Sequence, residues 1–338
     1  FVKDIPQEFW DFCWIEGWWL EDYSLFMALK DKYNGSAWNT WEDKYKYRHW
    51  DAIEAAKVEY KEGMQFYKMI QFFFFKQWNE LKSYANEKGI KIIGDVPIYV
   101  AFDSADVWSN PDEFYLNEYR EPIDVAGCPP DAFSADGQLW GNPLFRWDVM
   151  KNNGYEWWTK RISAMSKLYD IVRIDHFRGF AGYYNVPFGH TTAKEGKWDA
   201  APGIKLFRTI KESFPKAKII AEDLGFITDD VRALLDDTGF PGMKMLQFAF
   251  FDEDSEYLPR TYTTPNCVAY PGSHDADCIK SWCKNLHGTA LRRFNRECPH
   301  RKGQSRAYDL IELSMKSVAN LTVVPMQDYL ELYNSEGR

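Results

Sequence analysis

The stretch GYEWWTKRISAMSKLYDIVRIDHF, residues 154–177, contains both periods from which an alternating α/β chain is built. Trp157, Trp158, Arg161, Ile162 and Met165 recur at three- and four-residue spacing, as one face of a helix does. Three residues after Leu168 the pattern changes to the short apolar run Ile171, Val172, Ile174, which suits a sheet interior. Charge then crowds around that run, in Arg173, Asp175, His176 and Arg178. An Arg–Asp pair neutralising itself at a strand end explains this blandly, so the rest of the chain has to decide.

The same alternation runs outward in both directions. Residues 64–88 read as a helix ended by Gly89, followed by the strand IKIIGDVPIYV. GIKLFRTIKESF leads to AKIIAEDLG, and TDDVRALLDDTG leads to MKMLQFAF. NCVAYPGSHD and, past another helical stretch, LTVVPMQD complete a set of six strands, each preceded by a helical pattern. This order predicts a parallel sheet, and a TIM (β/α)8-type barrel is the commonest way to arrange so many strands. Residues 101–148 are too long for a plain connection and read as an active-site excursion. No internal repeat or low-complexity segment stands out.

Composition narrows the function. A net charge of −9 lacks the electrostatic footprint of a nucleic-acid binder. No apolar run reaches the roughly 18 residues that a membrane span needs. The six cysteines show neither C-x-x-C pairs nor zinc-like spacing, so they are expected as free thiols in a reducing compartment, which predicts a cytoplasmic protein. No signal peptide precedes Phe1, although Phe1 is not an initiator methionine. The 15 Trp, 20 Tyr and 24 Phe exceed what a core alone requires, and flat rings with polar tips suit neutral polyol ligands such as sugars.

Most strands end in charge: Asp95, Asp175, Glu222, His274 with Asp275, and Gln327 with Asp328. In a parallel barrel such ends share one face, where barrel enzymes build their sites. Helix capping accounts for one or two of these carboxylates but not for the set. No nucleotide-binding or H-E-x-x-H metal motif accompanies them. Glycoside transfer is the natural chemistry, because a carboxylate nucleophile and a carboxylic acid carry it with no cofactor or metal. Asp175, kept ionised by Arg173, suits the nucleophile. Glu222, at the end of an apolar strand, suits the acid, and Asp275 with His274 suits contact with sugar hydroxyls. Hydrolysis by the same residues, a non-catalytic glucan-binding scaffold and, more distantly, a metal-dependent barrel hydrolase remain open.

RIDHFRGF (173–180), AEDLG (221–225) and GSHDAD (272–277), with GDVPIYVAFDSADVW (94–108) and GQLWGNPLFRWDV (137–149) upstream, resemble the 4-α-glucanotransferase (amylomaltase) family of the α-amylase clan. The resemblance runs from WLEDYSLFMALK at 19–30 to VVPMQDYL at 323–330. It implies Asp175 as nucleophile, Glu222 as acid/base and Asp275 as transition-state stabiliser, acting on malto-oligosaccharides and other α-1,4-glucans. Arg173, His274, Trp140, Asp131, Gln138, Asp95, Tyr99 and His176 fall in the same motifs and are expected to contact sugar. It further implies one catalytic barrel over 1–338 with a helical inserted subdomain over 1–63. The first two barrel strands and a C-terminal tail of the family have no counterpart here, and a barrel without them exposes sheet edges. Two departures stand out: GSHDADC where the family usually has GTHDNDT, and PDAFS where it has PDYFS. The second puts Ala132 where the resemblance assigns a tyrosine to stacking on glucan.

Overall fold

A computed structural model describes residues 5–130 and 134–334, in which a mixed α/β chain divides into two compact units, Phe1–Lys218 and Ile219–Arg338.

The first unit opens with helices Gln7–Ile15, Gly17–Lys32, Trp50–Glu59 and Lys61–Glu87. Phe9, Leu20, Leu25 and Phe72 are buried where these helices meet, with the Phe9 and Phe72 rings edge to face at 5.8 Å. The long helix stops where expected. Gly89 takes a φ of +77°, and the Ile90 N–H returns to the Ala85 carbonyl at 2.9 Å, an arrangement that costs a residue without Cβ little. Strand β1 (Ile93–Val96) follows.

Two further strands, β2 (Asp124–Cys128) and β3 (Gln138–Pro143), lie inside the 101–148 excursion, ahead of β4 (Ile171–Ile174), β5 (Gly182–Pro187) and β6 (Lys197–Ala200). β1 and β4 pair in parallel with Asp95 opposite Arg173, as the helix-then-strand reading requires. Between them helix Glu156–Leu168 packs Trp158 and Ile162 into the core. The four other strands form a separate antiparallel sheet in the order β3-β2-β5-β6, pinned by a Tyr184–Trp198 cross-strand ring pair at 5.2 Å. The sequence reading has no strands there, because DVAGC and QLWGNP alternate weakly and carry Gly, Asn and Pro.

The second unit holds β7 (Ile219–Ala221), β8 (Gly242–Met245), β9 (Cys267–Tyr270) and β10 (Leu321–Thr322), with β8, β9 and β10 joined in parallel. Each of the six segments read as strands therefore contains one. Leu246, Phe250, Ile279, Phe294 and Leu310 form the buried centre of this unit. All six cysteines are free thiols. Among the described residues no helix is long and apolar enough to cross a membrane.

Candidate active site

In the first unit the site is organised around one buried cation. Arg173 points out of β4 with only 6% of its surface exposed. Because the register sets it opposite Asp95, its Nη1 reaches the Asp95 Oδ2 at 2.5 Å, while its Nη2 lies 3.1 Å from the Asp175 Oδ1. The backbone N–H of Asp175 donates to the Val96 carbonyl at 2.9 Å, which continues the ladder one residue past β4 and fixes where the carboxylate emerges. Both carboxylates keep 44% of their side-chain surface open. One guanidinium thus serves two half-exposed carboxylates.

His176 turns the chain out of the strand in a left-handed conformation, φ +51°. Its half-buried ring sits close to Gly179, where an added Cβ would come within 2.7 Å of the Ile98 Cδ1 and 3.0 Å of the His176 Cδ2. Burial, then the nearby Arg178 guanidinium, pushes the imidazole down to about 4, so it is neutral at physiological pH. The Trp140 ring meets it edge to face at 4.8 Å and lies 6.2 Å from the Tyr99 ring. Tyr99 is buried and stacked on Phe145 at 5.9 Å, and burial drives its phenol well above the ordinary tyrosine range. The Trp140 indole donates to the exposed Gln138 amide at 3.1 Å. Asn142, which the sequence reading passed over, fastens β3 to the segment after β1 by donating to the Val100 carbonyl at 2.9 Å. The antiparallel sheet therefore brings Gln138 and Trp140 beside Tyr99 and His176. Asp131 and Ala132 lie outside the described residues.

In the second unit the acidic pair after β7 separates into two roles. Glu222 is half-buried, while Asp223 is 8% exposed and accepts the Met243 N–H at 2.6 Å. Burial pushes the Asp223 carboxyl up. An added Cβ at Gly242 would lie 2.5 Å from the Asp223 Oδ2, so that glycine makes room for the carboxylate. Asp223 therefore belongs to the architecture, and Glu222 is the member open to solvent. After β9 the segment 271–278 carries His274 and Asp275 on the surface, the His274 Nε2 being 3.3 Å from the Asp275 Oδ2. The Asp275 N–H donates to the Ser273 hydroxyl at 3.2 Å.

Asp328 differs from the expectation that it marks an open strand end. β10 stops at Thr322, and Asp328 is 2% exposed within the short helix Met326–Tyr329. Its carboxylate accepts the Ile279 N–H at 2.7 Å, and so satisfies one of the free donors that begin helix Ile279–Asn285. Trp158 is 1% exposed whereas Trp18 is 46% exposed, with the Lys160 ammonium over its ring.

Comparison with known proteins supplies the remaining observation. The family model described as 4-alpha-glucanotransferase matches residues 2–337. This chain belongs to the 4-alpha-glucanotransferase family. A family member from Clostridium butyricum is 49% identical over 94% of this chain, and one from Thermus thermophilus is 46% identical over 96%. Amylomaltase from Streptococcus agalactiae, solved in complex with acarbose, superposes with a TM-score of 0.92 at 40% identity over 96% of this chain and 66% of that one. The chain spans 65% and 66% of the length of the first two 4-alpha-glucanotransferases. In this 4-alpha-glucanotransferase family member, Arg173 sets one guanidinium against the Asp95 and Asp175 carboxylates.

Proposed function

We propose that this chain carries the catalytic residues of a retaining 4-α-glucanotransferase that moves α-1,4-glucan segments between malto-oligosaccharides. The observation that carries the reading is the Arg173 clamp, which sets a buried guanidinium against the Asp175 carboxylate at the end of β4. Family membership and the acarbose complex of the S. agalactiae relative support the substrate class.

In this reading the Asp175 carboxylate attacks C1 of the donor as the C1–O4 bond breaks, and the Glu222 carboxylic acid gives its proton to the departing O4. A glucosyl ester on Asp175 results. Glu222, now a carboxylate, takes the proton from the 4-hydroxyl of an acceptor glucan, whose oxygen attacks C1 and expels Asp175. Two inversions retain the α-configuration. Asp275, with His274, holds sugar hydroxyls as the ring flattens toward an oxocarbenium ion. Trp140, Tyr99, His176 and Gln138 with Asp131 supply ring and amide contacts, while Arg173 and Asp95 set the charge beneath the sugar. Neither a cofactor nor a metal takes part.

The same reading makes residues 1–338 one catalytic barrel of the (β/α)8 type in part, with 1–63 as a helical inserted subdomain, 101–148 as an excursion over the site, and a cytoplasmic location. Product analysis on maltotriose tests it. Transfer gives a ladder of longer and shorter glucans; maltose and glucose alone would mean hydrolysis by the same residues, and no products at all would mean a binding scaffold.

A further inference from the structure

The segment bearing Asp275 has no regular structure of its own, so something outside it must hold it. Residues 271–278 leave β9 and reach helix Ile279–Asn285 through bends and turns, and Asp275 lies exposed on them. The anchoring falls two to four residues downstream. Gln247, 2% exposed, donates its side-chain amide to the Asp277 carbonyl at 2.6 Å. Asp328 accepts the Ile279 N–H at 2.7 Å. Between these lies Asn334, whose Nδ2 donates to the Asp277 Oδ1 at 2.6 Å and whose Oδ1 accepts the Cys278 N–H at 2.8 Å, while its own N–H donates to the Ser281 hydroxyl at 3.0 Å.

Resting on the role proposed for Asp275, we infer that Asn334 is a positioning residue, which sets the place of Asp275 by clamping Asp277 and Cys278. Satisfying both partners at once decides the residue type. The clamp faces a carboxylate on one side and a backbone N–H on the other, so it must donate with one atom and accept with its neighbour. A short side-chain amide does both. A carboxylate keeps only the acceptor and opposes the charge of Asp277; an alanine offers neither. Because Ala276, the one residue between the clamp and Asp275, lies in no helix or strand, a shift at Asp277 passes directly to the Asp275 carboxylate. A displacement of about 1 Å at a transition-state contact is worth up to roughly a hundredfold in rate.

Asn334→Asp is the informative variant because its shape is unchanged. Its carboxylate would face Asp277 directly, with Asp328 across the Ile279 N–H and the Lys280 and Lys284 ammoniums over the adjoining Tyr333 ring at 4.2 and 4.0 Å. Two carboxylates at hydrogen-bond distance share one proton at low pH and repel once both are charged. The expected result is a fall in kcat of about tenfold at neutral pH and a KM for maltotriose within roughly twofold of wild type. Activity relative to wild type should recover as the pH is lowered. The exchange Asp277→Asn with Asn334→Asp reverses donor and acceptor, and should restore kcat at neutral pH to within roughly threefold. Thermal melts on every variant exclude unfolding as the cause. A wild-type rate and pH profile in Asn334→Asp, with Asp275→Asn inactive, would overturn the inference alone, as would a loss that neither acid nor the exchange relieves. Full transfer activity in Asp275→Asn would overturn the role of Asp275 and the inference with it.

Discussion

Replacing Arg173 by methionine probes the centre of the site most directly. The substitution keeps the length of the stem that runs through β4 and removes the cation that meets Asp95 at 2.5 Å and Asp175 at 3.1 Å. A hydrogen bond to a charged group contributes about 1.5–3 kcal/mol when well shielded. Here both carboxylates are 44% exposed, and solvent screening reduces each contact to about 1 kcal/mol, or about 2 kcal/mol together. Release of the buried guanidinium from its desolvation penalty offsets part of this, so the net loss of stability should be about 1–2 kcal/mol. The catalytic loss should be larger. Without the cation, Asp95 and Asp175 repel, the Asp175 carboxyl binds a proton more readily, and its direction is no longer set. A hundredfold fall in kcat/KM, about 2.7 kcal/mol, is the expected size. Glucose release from maltotriose gives kcat/KM, and urea unfolding gives the stability. A kcat/KM within threefold of wild type in a variant destabilised by 1–2 kcal/mol would show that Arg173 braces the strand and does not tune the nucleophile.

Four other outcomes follow from the same structure. Asp175→Asn should abolish turnover with every donor, whereas Glu222→Gln should retain activity on a donor whose leaving group needs no proton; identical responses in the two variants would refute the division of roles. Glu256 is held down to about 2 by Arg232 and Lys244, so its contribution to stability, about 1 kcal/mol after screening, is present above the unfolded value near 4.3 and is lost as pH falls through 2. Urea midpoints of Glu256→Gln and wild type should therefore differ at pH 6 and converge near pH 2. Gly94→Ala places a methyl group 2.0 Å from the Tyr169 ring and should cost about 3 kcal/mol or more, most of it recovered by adding Tyr169→Ala; an undisturbed melting temperature for Gly94→Ala would contradict the packing of β1. His176, down at about 4, should show no imidazole titration by NMR between pH 8 and 5.5, while stability falls progressively as pH drops from the unfolded histidine value near 6.5 to about 4 and loses nothing further from this group below that.

The six helix-then-strand units were legible in the sequence because burial on both faces of a parallel strand leaves an unbroken apolar run, and the polar residue that ends the run stands out against it. Asp175 and Glu222 were found in that way, each one residue past its strand. The antiparallel sheet was not legible. Its strands are short and interrupted, and they are held by pairing with segments as distant as Asn185 from Ala126, a property of no local window. Pairing likewise decided which charges meet: Asp95 and Arg173 are 78 residues apart in sequence and become neighbours only through the β1–β4 register. The sequence singles out Glu222 by its place at the strand end, but only packing against Gly242 and Met243 buries its neighbour Asp223 and leaves Glu222 the more accessible. Residue type and order thus determined what chemistry the chain carries, since a carboxylate, a guanidinium or an indole is the same group wherever it lies. Their burial, spacing and charge partners were decided by the tertiary structure, because those quantities depend on segments that the backbone brings together only when it folds.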